Sequence, residues 1–204
     1  MSTTQDPGAL SRRALLSGGV ALIATSCATT TPSAAPPPLT SVFTLQEQAT
    51  LSALVDRLVP ADEFSPAASD CGVLDYFERC LSEWSQNDLP LLRATVTALE
   101  TQAREQHGME FAALDADTQD ELLMAMEAGQ FPEAAGQAGF NRILRLTLEG
   151  MFSDPYYGGN RNYAGWDLIG YPGAMLASTP AMQAMGGRLP LLHTSAYGAQ
   201  HDGD

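Results

Sequence analysis

Between residues 44 and 151 the apolar positions fall at helical spacing in five successive stretches. In the first, Leu51, Leu54, Val55, Leu58 and Val59 make one stripe. Thr44 and Glu47 stand ahead of it at capping-box spacing, and Pro60 ends it in a turn, Pro60–Glu63. The second stretch covers about Val73 to Trp84, with Val73, Phe77, Cys80, Leu81 and Trp84 on one face. Asp88 as N-cap and Gly108 as stop bracket a third, about Pro90 to Gln106, striped by Leu92, Val96, Leu99 and Ala103. A fourth, near Thr118 to Ala128, offers Leu122, Leu123 and Met126 and stops at Gly129. The fifth, about Pro132 to Met151, carries Phe140, Leu144, Thr147, Leu148 and Met151, with Pro132 in its first turn. No run alternates as a strand would, and β-branched residues are sparse here. The expected fold is all-α, an irregular helical bundle forming a single domain over residues 43–204.

The periodicity stops at Asp154. From there to Gly173 the chain holds four tyrosines, one tryptophan and five glycines, with neither helical nor strand spacing. An ordered loop is expected. Rings at this density must bury against the chain's own helices or against another protein. The partner-binding set on the second reading is Tyr156, Tyr157, Gly158, Gly159, Asn160, Trp166, Tyr171 and Pro172. Its rings are large and stiff, and most carry a hydrogen-bonding tip, as interface anchors do. Gly158-Gly159-Asn160 permits a tight turn at positive φ. On the first reading the same rings cap the bundle's core, and periodicity does not choose between the two. After Gly173 comes an irregular tail with Pro180, Gly186-Gly187 and Pro190, its end from Gly198 expected to fray.

Ahead of the helices the pattern changes kind. Arg12 and Arg13 precede a short, weakly apolar run, Ala14 to Ala24, interrupted by Gly18 and Gly19. A run this short does not span a bilayer, and charge, apolar run and small residues in that order make a signal peptide, residues 1–27. The paired arginines favour the twin-arginine route, which carries folded cargo to the periplasm. Cys27 closes the stretch Ala24-Thr25-Ser26-Cys27, similar to a lipoprotein cleavage site that would leave Cys27 lipidated; cleavage by a general signal peptidase is the alternative. Residues 28–42, rich in Thr, Pro, Ala and Ser, read as a disordered tether.

Charge narrows the partners. The net charge is −14, and all ten basic residues are arginines. No basic face for phosphates is in sight, so nucleic acid is not an expected partner. Catalytic chemistry is also hard to find. His107 falls at a predicted helix end, and His193 and His201 lie in the tail, none at ligand-like spacing. Asp115, Asp117, Asp120 and Glu121 cluster at a helix start, where negative charge is favoured structurally. Gly136-Gln137-Ala138-Gly139 follows no strand, so it is no dinucleotide fingerprint. Cys71 and Cys80 are nine residues apart, roughly 13 Å along a helix. A disulfide requires Cys71 to sit on a loop folded back; the alternatives are two buried thiols or a bond to a partner chain.

Three pieces together carry a resemblance: the paired-arginine signal, Leu54-Val-Asp-Arg-Leu-Val-Pro-Ala-Asp62, and Asp154-Pro-Tyr-Tyr-Gly-Gly-Asn160 with Gly165-Trp-Asp-Leu-Ile-Gly-Tyr-Pro-Gly173. Over about Leu45 to Gly173 the chain resembles the gluconate 2-dehydrogenase subunit 3 family, the small subunits of membrane-associated, FAD-dependent sugar and polyol dehydrogenases. The resemblance implies a non-catalytic subunit that binds no cofactor itself. FAD and the chemistry would reside in a large catalytic partner, and a cytochrome c subunit often takes the electrons. It further implies that the large subunit folds in the cytoplasm and leaves it bound to the small one, through the twin-arginine export machinery. A stand-alone periplasmic lipoprotein binding a small ligand is the competing expectation, favoured by Cys27 and the tether.

Overall fold

The computed structural model describes residues 41–131, 135–175, 177–180, 182–183 and 189–198. Arg12, Arg13, Cys27 and most of the tether, up to residue 40, lie outside the described residues. Among the described residues there are six α-helices: α1 Leu45–Leu58, α2 Val73–Glu83, α3 Leu89–His107, α4 Ala116–Glu127, α5 Ala135–Phe152 and the short α6 Ala164–Ile169. Among the described residues there is no strand, only an isolated bridge between Ser195 and Gly198. The fold is the expected all-α bundle.

Local chemistry accounts for most helix ends. Thr44 caps α1 in a full capping box: its hydroxyl accepts from the Glu47 amide at 3.2 Å, and the Glu47 carboxylate accepts from the Thr44 amide at 2.7 Å. Asp115 starts α4 by accepting from the amide and hydroxyl of Thr118, at 3.0 and 2.9 Å. These hydrogen bonds hold its carboxyl below the usual range. Gly108 stops α3 in the left-handed conformation, φ 74°. Asp88 stands at the N-cap position of α3 but makes no cap hydrogen bond. Its carboxylate is taken instead by the Arg142 guanidinium of α5, at 2.7 Å.

Helix α5 is the axis of the bundle and packs against α3, α2, α4 and α1. Its buried positions include Phe140, Ile143, Leu146, Thr147 and Met151. The expected stripe is therefore corrected at Leu148, which is 44% exposed, while Leu144 is half-buried and packs against the core. A helix touched on several sides buries a broad arc, and the 140–144–148 row leaves that arc before its last turn. Around α5 lie Leu51, Leu54, Val55, Phe77, Leu81, Leu92, Leu99, Phe111 and Met126, each nearly or wholly excluded from solvent. Each such side chain contributes about 1.5–3 kcal/mol by leaving water. At the rim of this core Arg57 of α1 grips Asp120 of α4 through two hydrogen bonds, 2.7 and 2.6 Å.

Among the described residues the cysteines, Cys71 and Cys80, are free. Both are buried thiols, so of the readings left open for the pair the structure has the two-thiol one. Cys71 precedes Gly72, which opens α2 at φ 77°, and Cys80 lies two turns on along the inner face of that helix. No folded-back loop brings them together, and burial pushes both thiols up.

Candidate partner-docking surface

The chain leaves α5 at Phe152 and turns back over the ends of α5 and α2. Asp154 accepts from the Tyr156 amide at 3.0 Å and caps a 3-10 turn, Pro155–Tyr157. Gly158 follows at φ 100°. Gly159 lies so close to α5 that a Cβ there would stand 2.1 Å from the Gly150 carbonyl oxygen. Asn160 is fully buried at φ 50°. Its amide nitrogen donates to the Ser153 carbonyl at 2.9 Å, and its carbonyl oxygen accepts from the Gly165 and Trp166 amides at 2.9 and 3.4 Å. One side chain thus ties the end of α5 to the start of α6.

The region is more regular than the expected loop, because two 3-10 turns and α6 run through it. Helix α6 is pressed against α5: a Cβ on Gly165 would stand 1.8 Å from the Met151 carbonyl oxygen. Trp166 projects inward, is 4% exposed, and donates its indole N–H to the Phe152 carbonyl at 2.9 Å. Arg161 anchors the outer side, with its amide on the Cys71 carbonyl at 2.8 Å and its guanidinium on Asp75 at 2.7 Å.

These anchors divide the expected partner-binding set. Tyr156 and Tyr171 are exposed, at 47% and 43%. Tyr157 and Gly158 are half-buried, and Gly159, Asn160, Trp166 and Pro172 are buried. Of the two readings left open for Trp166, the free chain has the core-capping one: its ring is internal, packed edge-on with Tyr171 at 4.8 Å between centroids. Trp166 shapes the surface from beneath.

The exposed rings have company that the loop's own sequence does not announce. Tyr76 of α2 and Trp84 just past its end, Tyr156 and Tyr157 of the loop, and Tyr197 of the tail form one continuous ring network. Tyr197 stacks on Tyr156 at 4.3 Å, and its hydroxyl shares a 2.8 Å hydrogen bond with that of Tyr157. That bond raises the Tyr157 phenol above its ordinary value. The Arg79 guanidinium of α2 sits 4.6 Å over the Tyr156 ring and donates to its carbonyl. A second network joins Tyr163, Trp166, Tyr171 and His193 of the tail. All six tyrosines and both tryptophans of the chain belong to one network or the other.

Beside the rings lies an apolar rim: Leu168 and Ile169 of α6, Met175, and Leu191 and Leu192 of the tail, each at least 40% exposed. A shallow cleft of about 280 Å³ opens between Phe152, Asp154, Ile169, Tyr171 and Ala196. The tail's polar groups are divided among separate carboxylates: His193 pairs with Asp167 at 2.6 Å, and the Ser195 hydroxyl donates to Asp154 at 2.6 Å. They do not form a relay. Among the described residues no group of His, Cys, Asp and Glu is placed to hold a metal ion, and no helix is long and apolar enough to cross a membrane.

Aromatic rings under an arginine, framed by exposed aliphatics, have the composition that protein-binding surfaces favour. Residues 45–173 match the gluconate 2-dehydrogenase subunit 3 family, and the chain belongs to it. The match begins with α1 and ends with the loop at Gly173, leaving the tail outside. The family is named for one subunit of a multi-subunit dehydrogenase. No curated protein and no solved structure matches the chain.

Proposed function

We propose that this chain is the non-catalytic small subunit of a periplasmic, membrane-associated, FAD-dependent sugar or alcohol dehydrogenase. It escorts the catalytic subunit through twin-arginine export and stabilises it afterwards. The observation that carries this reading is the aromatic cluster of Arg79, Trp84, Tyr156 and Tyr157, with Trp84 and Tyr156 still 47% exposed beside the tail, on a chain of this family. A subunit that binds only the folded partner shifts the partner's folding equilibrium by mass action. Arg12 and Arg13 serve as the export signal for both chains, FAD enters the catalytic chain before export, and a cytochrome c subunit receives the electrons. Cys27, once lipidated, is a second means of holding the complex at the membrane.

The test replaces Arg12 and Arg13 with lysine in cells that express both chains. The expected result is both polypeptides, with the flavin, retained in the cytoplasm. A catalytic chain that still reaches the periplasm overturns the escort role. The cleft beside Tyr171 gives the competing reading, a lipoprotein for a small ligand, a structural foothold. A chain purified gently without a second polypeptide or flavin absorbance would favour that reading instead.

A further inference from the structure

The tail returns to the loop that the proposed partner would use. Two backbone hydrogen bonds lay it alongside residues 172–174: Leu192 donates to the Pro172 carbonyl at 2.8 Å, and Ala174 to that of Thr194 at 2.7 Å. Asp154 then receives the Ser195 hydroxyl at 2.6 Å and the Ala196 amide at 2.8 Å. The last ring, Tyr197, stacks on Tyr156 and takes the Tyr157 hydroxyl. We infer that residues 189–198 are a strap that covers the aromatic face in the free chain and is displaced when the catalytic partner docks.

This inference rests on the reading of the face as the docking site. Three observations make the tail a placeholder and not a permanent part of the body. It buries little apolar surface: Ser195 is tucked in, but Leu191, Leu192 and Tyr197 are all more than 40% exposed. It is also strained: His193, whose ring stacks on Tyr163 and pairs with Asp167, adopts φ 47°, where a residue with a Cβ is disfavoured. Finally, the loop keeps its own supports without it. Asp154 still caps Tyr156, Asn160 still joins α5 to α6, and Trp166 still holds Phe152. Removing the strap therefore uncovers the face of Tyr156 and the hydroxyl of Tyr157 without dismantling the surface beneath. A binding-competent state that is only fractionally populated lowers apparent affinity by that fraction, so the strap would hold down premature contacts of a sticky face.

Hydrogen exchange on the full chain, free and bound to the flavin-bearing polypeptide that copurifies with it, tests this. In the free chain the amides of Leu192, Ala196 and Tyr197 should be protected. In the complex they should exchange about ten-fold faster, while the amides of Tyr156 to Tyr171 slow. A second arm needs no partner: a chain ending at Arg188, and the variant Tyr197→Ala, should both show several-fold faster acetylation of Tyr156 and Tyr157 by N-acetylimidazole. Equal or greater protection of residues 192–197 in the complex makes the tail part of the interface and overturns the strap alone. Unchanged tyrosine acetylation in both variants also overturns it. If no flavin-bearing polypeptide copurifies, the docking reading fails and the strap falls with it.

Discussion

The body and its aromatic end bury their rings by different rules. In the body, Phe43, Phe77, Phe111, Phe131 and Phe140 lie in a core of leucine, valine and methionine, with Tyr76 at its edge. Hydrocarbon rings need shape and nothing else, so that core is held by area removed from water. The other end is built of tyrosine and tryptophan, and its backbone is irregular. Each buried group there needs a hydrogen-bond partner: Trp166 has the Phe152 carbonyl, and Asn160 has three backbone groups. The contrast separates two tasks. The body supplies stability, while the aromatic end offers rings with polar tips that can face water or a protein.

The largest expected effect tests the body. Phe77→Ala should cost about 3–5 kcal/mol by opening a cavity at a fully buried site. In a denaturant titration, far-UV and near-UV circular dichroism should be lost together, because the aromatic end rests on α2 and α5. A near-UV signal that outlasts the helices would mean that the aromatic end folds independently.

Next comes a change confined to the other region. Gly165→Ala forces a methyl against the Met151 carbonyl and should cost about 2–3 kcal/mol. Here the near-UV signal of Trp166 should weaken while the far-UV helical signal is nearly kept. Equal loss of both would erase the division between stabilising body and shaped surface.

The third change separates folding from docking. Tyr156→Ala removes an exposed ring, so stability should move by no more than about 0.5–1 kcal/mol. Affinity for the catalytic chain should fall by about 2 kcal/mol, roughly thirty-fold, measured by titration of the two purified chains. Trp166→Ala should do the reverse, destabilising the chain first and weakening the complex only through the altered surface. A stability loss from Tyr156→Ala as large as that from Trp166→Ala would place both rings in one internal cluster.

The same contrast governs what the chain's letters could reveal. Body helices are periodic and locally punctuated, so Thr44 with Glu47, Asp115, Gly108 and Gly129 could be read as ends or stops. Leu148 misled because helical spacing does not say how many neighbours a helix has. The aromatic end has no period. Which ring faces inward depends on Gly159 and Gly165 admitting the backbone close to α5, a three-dimensional fact. Arg79, Trp84, His193, Ser195 and Tyr197 were missed as members of the surface, since α2 and the tail reach it from far along the sequence. One signal was available: Tyr197 is an isolated tyrosine in a tail otherwise free of aromatic rings other than histidine.

The smallest effect is an acid titration of the body's rim. Hydrogen bonds from Arg57 hold the Asp120 carboxyl below its usual range, while Arg57 stays protonated throughout. The folded value thus lies under the unfolded one, about 3.9. The stabilisation is fully present above the unfolded value and is lost as pH falls through it and then through the folded one. Asp120 is 38% exposed, so solvent screening limits the contribution to about 0.5–1 kcal/mol. Asp120→Asn should flatten the acid limb of the far-UV stability profile by that amount and leave the near-UV signal of Trp166 unchanged at neutral pH. A larger loss, or one that reaches Trp166, would mean that the α1–α4 contact supports the aromatic end, and the two regions would then share their electrostatics as well as their helices.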